Sequence, residues 1–195
     1  YQDKVINSGI DSVLAKRNSN DTVPEYYFEV LGGFQDQKDL DESSGFDGDL
    51  YGITAGAIFP VNSNTSLGGF ISYLNTDIDY KDNAGSSQNV DTFALTGVME
   101  NRLNDGFKLI TKLGYNYGYN DTKRKITYDN SYREVNGDYG SWALGGSTGI
   151  EYSKGITENI VLKSSVGFVL DYVSQEAYTE TGGAANVKVD SVNSF

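Results

Sequence analysis

The chain has 195 residues, including 23 Gly, 15 Tyr and 9 Phe, and it carries a formal net charge of -12 at pH 7. It contains neither Cys nor His, which excludes disulfides and thiolate metal sites and removes the commonest general base. The acidic charge also argues against nucleic acid as a partner, because nucleic-acid binding needs a basic patch.

The N-terminal segment predicts one short amphipathic helix. Its apolar side chains recur at helical spacing, at Ile6, Ile10, Val13 and Leu14. Gly9 weakens this helix, and a cluster of polar residues at 18–21 ends it. Such a helix is marginal in isolation, so it needs a surface to pack against. We therefore assign residues 1–24 to a helical linker and residues 25–195 to a β-domain.

Eight segments with period-two alternation follow the helix. They are residues 25–36, 47–59, 66–80, 89–103, 107–122, 137–153, 159–176 and 185–195. Tight turns alternate with longer polar connections, such as residues 123–136. Alternating short and long connections between strands are typical of outer-membrane barrels. The segments therefore predict an all-β, antiparallel, up-and-down transmembrane β-barrel preceded by a short N-terminal α-helix.

The alternation assigns the two faces of each strand to different surroundings. Large apolar residues on one face are predicted to meet lipid; the candidates are Tyr51, Ile53, Phe59, Leu109, Leu113, Trp142, Leu144, Phe168 and Tyr172. Small, polar and charged residues on the other face are predicted to line a hydrated lumen; the candidates are Glu29, Lys108, Lys112, Asn116, Glu151, Lys163 and Asp171. The alternative is a soluble sandwich or lipocalin-like binder, in which the apolar face would line a core.

Several motifs follow one another in a characteristic order. The first three are Gly48-Asp49-Leu50-Tyr51-Gly52, Gly68-Gly69 and Asp77-Ile78-Asp79. "VDTFALTGV", "GFKLITKLGYNYGYNDTKRKI" and "YTETGGAANVKVDSV" come after them. In order and spacing, these motifs resemble the translocator β-domain of autotransporters (type V secretion).

The resemblance implies a non-enzymatic translocator in the bacterial outer membrane, which anchors an N-terminal passenger and assists its export. The implied partners are outer-membrane lipid, the passenger segment within the lumen, and the barrel-assembly machinery; no cofactor, metal or catalytic residue is expected. The family's barrel has about twelve strands, so about the last third is expected to be missing from this chain. The rival interpretation is a complete eight-stranded barrel that acts as an adhesin through its long loops.

The resemblance also places the N-terminal helix in the lumen. Its charged side chains, Lys4, Asp11, Lys16 and Arg17, are then expected to meet Glu29, Glu151 and Asp171. Likewise, Lys108, Lys112 and Lys163 are expected to pair with Asp3 or Asp11. A helix is about 10 Å across, wider than an eight-stranded interior that side chains only just fill. The eight strands alone are therefore not expected to form a sealed barrel around it.

Overall fold

The computed structural model describes residues 2–16, 23–39, 44–81, 85–104, 106–128, 131–157, 160–182 and 187–195. The helix α1 (Gln2–Lys16) comes first. The long strands are β1 (Glu25–Gln37), β2 (Phe46–Pro60), β3 (Thr65–Tyr80), β4 (Ser87–Asn104), β5 (Phe107–Tyr128), β6 (Ser131–Thr157) and β7 (Ile160–Gln175). Three short strands follow, β8 (Tyr178–Thr179), β9 (Lys188–Val189) and β10 (Val192–Ser194). No helix within these ranges is long and apolar enough to cross a membrane.

The strands form one antiparallel meander. Its order is β1-β2-β3-β4-β5-β6-β7-β10, so consecutive strands are hydrogen-bonded neighbours, while β8 and β9 form a separate small pair. The predicted fold class is therefore confirmed. Among the described residues β1 and β10 are the two ends of the sheet, so the sheet is open, as expected for eight strands that must also accommodate a helix.

The prediction was wrong at two places. Residues 123–136 were expected to be a loop, but β5 and β6 pair without a break from Phe107 to Tyr128. Because β-branched and aromatic residues accompany the charges in this stretch, the hairpin continues past its neighbours. Residues 185–195 were expected to be one strand, but they contribute β9, which pairs with β8, and β10, which pairs with the end of β7.

The helix lies on one face of the sheet, which we call the inner face; the opposite face is the outer face. All four predicted apolar residues of α1 are buried in this contact, Ile6, Ile10, Val13 and Leu14. The sheet residues packed against them are Leu31, Leu50, Ile58, Phe70, Leu74, Ala94 and Val98. The surface that the isolated helix lacks is therefore provided by β1 to β4.

The inner face differs in character between its two halves. On β1 to β4 it carries the large apolar residues that meet the helix, including Ile58 and Leu74, neither of which is exposed to solvent. On β5 to β7 the same face is built from small and polar residues such as Gly114, Gly145 and Ser147. Small, polar and charged residues were predicted on this face, and the first half differs because large apolar residues there pack against the helix. On β1 to β4 large apolar residues therefore lie on both faces, and those on the inner face are covered by the helix.

Glycine makes room for the largest side chain of this core. Gly56 and Phe70 are directly opposed on β2 and β3, and the Phe70 ring, 1% exposed, lies across Gly56. A Cβ atom added at Gly56 would be 2.7 Å from Cγ of Phe70, too close for a normal contact. The neighbouring Gly69 faces outward and has open space where its Cβ would be.

We predict that Gly56→Ala destabilises the full-length protein by about 1–3 kcal/mol, because overpacking forces the Phe70 ring out of position. The matched control is Gly69→Ala, which adds the same methyl group in open space and should change stability by less than about 0.5 kcal/mol. Urea unfolding in detergent, followed by tryptophan fluorescence, measures both. Equal stabilities of the two variants would show that Phe70 does not depend on Gly56.

Candidate functional site

The inner face with its bound helix is the candidate functional site, and the helix has a defined direction along it. Near the helix C-terminus, Lys163 Nζ donates a 3.5 Å hydrogen bond to the carbonyl oxygen of Ala15. Further along, Lys112 Nζ contacts Asp11 Oδ1 at 2.8 Å. Near the N-terminus, Asn7 lines a small cavity together with Asn116. From its C-terminus to its N-terminus the helix therefore ascends β5 in the direction of the projecting β5–β6 hairpin.

The two ends of the sheet are distinct. At one end the connections β2–β3, β4–β5 and β6–β7 are tight; we call it the short-turn end. The other end carries the longer β1–β2 and β3–β4 connections and the projecting β5–β6 hairpin; we call it the long-loop end. Since β5 runs from the first to the second, the N-terminus of α1 points to the long-loop end.

Gly9 explains how closely the helix approaches β1. A Cβ atom at this position would be 2.8 Å from Cδ2 of Leu31 and 3.4 Å from Oε2 of Glu29. Glycine within a helix costs about 1 kcal/mol relative to alanine, so its presence is unfavourable for the helix alone. The close packing on β1 offsets that cost. The residue that weakened the helix prediction is thus the one that permits the contact.

The structure brings together some of the predicted charged residues and separates others. The expected Asp11–Lys112 pair is present. Lys108 instead contacts Glu100 at 3.1 Å and Glu151 at 4.0 Å, all within the wall of the sheet. Asp171 lies over Gly145 of the neighbouring strand. The described part of the structure does not include the side chains of Asp3 and Lys16. It does not include any part of Arg17.

Glu29 has an unusual environment on the inner face. One of its carboxylate oxygens, Oε2, is buried and has no hydrogen-bond partner among the described residues. It lies beside Gly9 of the helix. Glu29 is therefore on the same face as the helix, and its ion pair with a helix cation stays a prediction.

A polar network occupies the inner face at the long-loop end. Gln88 accepts a hydrogen bond from the Tyr80 hydroxyl at 2.9 Å and donates to the Tyr139 hydroxyl at 3.0 Å. Gln88 also donates to Asn120, which donates in turn to Ser141 Oγ at 3.0 Å. Sequence reasoning missed this network. The alternation gave each residue's face, but only the register across four strands brings them together.

An ion pair adjoins this network at the outermost level. Arg124 donates from Nε to Glu180 Oε1 at 2.9 Å and from a terminal nitrogen to Oε2. This pairing holds the pKa of the Arg124 guanidinium above its ordinary value. The two residues are 56 positions apart, and no periodicity relates them.

At the rim of the same end, Lys81 joins two neighbouring strands. Its Nζ lies 2.9 Å from Asp36 and 3.0 Å from Asp47. The hydrogen bond from Lys81 lowers the pKa of the Asp36 carboxyl. All three groups are solvent-accessible, so this interaction contributes little to stability.

The outer face carries the residues predicted to meet lipid. Exposed there are Tyr51, Ile53, Phe59, Leu113, Leu144 and Phe168. Leu109, Trp142 and Tyr172 are half-buried on the same face. Aromatic rings adjoin across strands towards both ends of this face, for example Tyr115 with Trp142 and Phe107 with Tyr152. Two aromatic levels enclosing an apolar band are typical of membrane barrels, and contact with lipid stays a prediction.

The described residues include no group of three His, Cys, Asp or Glu side chains placed to hold a metal ion. The space on the inner face is lined by amide, hydroxyl and glycine groups such as Asn116, Ser141 and Gly118, together with apolar side chains such as Leu50 and Val90. One cavity, of about 340 Å³, lies between the helix N-terminus and the long-loop end. Such a lining can hydrate or contact a polypeptide, and the predicted absence of catalysis stays a prediction.

The comparisons with known proteins point to one family. A family model described as autotransporter beta-domain matches residues 26–195. Among solved structures, the fold is similar to the translocator domain of the autotransporter NalP from Neisseria meningitidis, with a TM-score of 0.84 at 13% identity. That similarity covers 99% of this chain and 65% of the NalP chain, so this chain spans about two thirds of the NalP domain's length. Among curated proteins, no sequence matched.

We predict that the helix is held mainly by apolar contact. Ile10, fully buried, should lose about 2–5 kcal/mol of packing on truncation to alanine. The Asp11 side chain is 57% exposed, so its pair with Lys112 should contribute no more than about 1 kcal/mol.

Because the chain has no Cys, a spin label on Ser8→Cys reports helix mobility without background. Ile10→Ala should mobilise the label strongly and Lys112→Gln only slightly. The reverse order of mobilities would show that charge, rather than burial, retains the helix.

Proposed function

The chain belongs to the autotransporter β-domain family, and we propose that it is the outer-membrane translocator that anchors an N-terminal passenger and assists its export. On this view the inner face is the wall of a lumen, and α1 is the part of the chain that connects barrel and passenger. The outer face meets lipid, and the long-loop end is extracellular.

The observation that carries this proposal is the position and direction of α1. The helix is packed inside the curved sheet, and its N-terminus points to the long-loop end. Any polypeptide that precedes Tyr1 therefore leaves the lumen towards the extracellular side. A helix packed on the outside, or pointing to the short turns, would not connect a surface-located passenger.

The outer face supports a membrane location. Phe168 and Val30 expose 80% and 72% of their surface, and the apolar residues around them are contiguous across strands. In water such an exposed apolar face would promote aggregation. In lipid, the same apolar side chains are in a favourable environment. Paired strands also satisfy the backbone polar groups that lipid cannot solvate. The soluble lipocalin-like alternative requires a polar outer face, whereas the outer face here exposes large apolar residues such as Phe168.

The adhesin alternative is not favoured. A complete eight-stranded barrel would pair its first and last strands, but β1 and β10 lie at opposite ends of the described sheet. Its interior would also be filled by wall side chains, whereas part of this interior is filled by α1.

Contact with lipid and with the barrel-assembly machinery is part of the proposal.

We predict that spin labels on Leu113→Cys and Phe168→Cys are accessible to oxygen and shielded from polar relaxation agents in bilayers. Labels on Asn116→Cys and Ser141→Cys should show the opposite preference, because these residues line the inner cavity. In a stability measurement, Leu113→Arg should cost about 2–4 kcal/mol, and the matched Asn116→Asp should have little effect. Polar accessibility at Leu113 and Phe168 would contradict the membrane location.

We predict that an epitope inserted directly before Tyr1 in the full-length protein is detected by antibody on intact Gram-negative cells. The control carries the same epitope in the tight β2–β3 connection at Asn62, which should be detected only after the outer membrane is permeabilised. If the first epitope also requires permeabilisation while the barrel is inserted and heat-modifiable on gels, the translocator proposal fails.

A further inference from the structure

The segment after β7 returns to the wall at the long-loop end. We call residues 178–182 the strap. The Tyr178 ring stacks on Tyr139 with ring centroids 4.5 Å apart and planes 18° from parallel. The backbone of Thr181 exchanges two hydrogen bonds, each of 2.8 Å, with Asn136 of β6. The strap is therefore attached to the projecting part of β6 through both side chains and backbone.

The strap also carries the buried half of an ion pair. Glu180 is only 5% exposed, and both of its carboxylate oxygens accept hydrogen bonds from Arg124 of β5. Two parallel charge-assisted bonds of this kind are geometrically specific. Removing Arg124 would take two charge-assisted hydrogen bonds away from a buried carboxylate, which is unfavourable. The pair therefore holds the strap in one position, unlike a solvent-exposed ion pair.

Register shows that the strap projects into the same space as the helix. Arg124 and Lys112 are separated by an even number of residues on β5, and β5 pairs with β6 without a break between them. Arg124 is therefore on the inner face, like the Lys112 that binds α1. By the same register Tyr139 is opposite Asn120 on that face. Tyr178 and Glu180 thus reach over the inner face, above the helix.

The wall is shaped to receive Tyr178. A Cβ atom at Gly137 would be 2.6 Å from the Tyr178 ring, so only glycine leaves room for the ring at this point. Below the strap is the cavity of about 340 Å³, lined by Asn116, Asn120 and Ser141 among others. A chain leaving the helix N-terminus for the long-loop end crosses this cavity and then passes the strap.

We propose that the strap is a latch at the extracellular mouth of the lumen. The Arg124–Glu180 pair keeps the strap folded over the inner face, where it narrows the mouth. Release of the pair frees the strap and widens the mouth for a passing polypeptide. The inference rests on the proposed function, since it requires the inner face to be a lumen.

The first experiment breaks the latch. Glu180→Gln and Arg124→Gln in the full-length protein should each increase ion conductance in planar bilayers, and the exchange Arg124→Glu with Glu180→Arg should return it towards the original value. The control is Lys81→Gln, which removes an ion pair at the same end without touching the strap. Heat-modifiable gel mobility confirms that each variant has folded.

The second experiment locks the latch. Asn136 and Thr181 are a hydrogen-bonded antiparallel pair, whose Cα atoms are typically about 5.5 Å apart, within disulfide range. Since the chain has no Cys, Asn136→Cys with Thr181→Cys forms the only possible disulfide within these 195 residues. Under oxidising conditions, this variant should lose surface display of an epitope placed before Tyr1, and reductant should restore it. Each single variant is the control.

Unchanged conductance in the folded charge variants, or undiminished display by the oxidised double variant, would overturn the latch. Failure of the proposed function gives a different result. In that case the epitope before Tyr1 would be absent from the cell surface even in the protein without engineered cysteines. The conductance comparison tests the latch in that case too, because it does not depend on a passenger.

Discussion

The packing of α1 against β1 to β4 is the interaction on which the rest of this structure depends. A 15-residue helix containing an internal glycine is marginal in water, so its existence is evidence for the contact. The same contact covers apolar residues of the inner face that would otherwise be exposed in a wide lumen. Helix and wall therefore require one another. The direction of the helix, set by this contact, determines where a passenger would emerge.

Apolar burial and ion pairs have different roles in this contact. Burial of residues such as Ile10 and Phe70 supplies most of the stabilisation, since each contributes kilocalories while a half-exposed ion pair contributes a fraction of one. On β5 to β7 the inner face instead carries paired charges such as Lys108 and Lys112. Asp11–Lys112 joins the helix to this half. Because the apolar contact is confined to β1 to β4, space remains beside the glycine-rich wall of β5 to β7.

The long-loop end is organised by hydrogen bonds rather than by burial of apolar groups. Gln88 links Tyr80 of β3 to Tyr139 of β6, and Arg124 reaches across to Glu180. Polar contacts of this kind are stable while fully paired and become unfavourable when one partner is removed. A closure built from them can be switched between two states more easily than an apolar core. This property suits the mouth of a channel that must admit a chain and then close.

The sequence by itself determined the seven long strands, their two faces and the amphipathic helix. These follow from periods of two and 3.6 residues, which are local properties of the chain. Leu113 and Asn116 were assigned to opposite faces by parity alone, and the motifs around Tyr51 and Asp77 gave the family. Local periodicity could not foresee the long β5–β6 hairpin or the breaking of the last segment into β9 and β10.

Only the tertiary structure decided which residues on one face come together. Parity placed Lys108 and Lys112 on the same face, but only the register showed that one contacts Glu100 and the other Asp11. Gly9 was unfavourable by local rules and is explained only by the approach of α1 to Leu31. Arg124 and Glu180 are joined by the return of the chain after β7, which no repeat in the sequence records. Periodicity gives the direction of a side chain, whereas a contact also depends on how distant segments fold against one another.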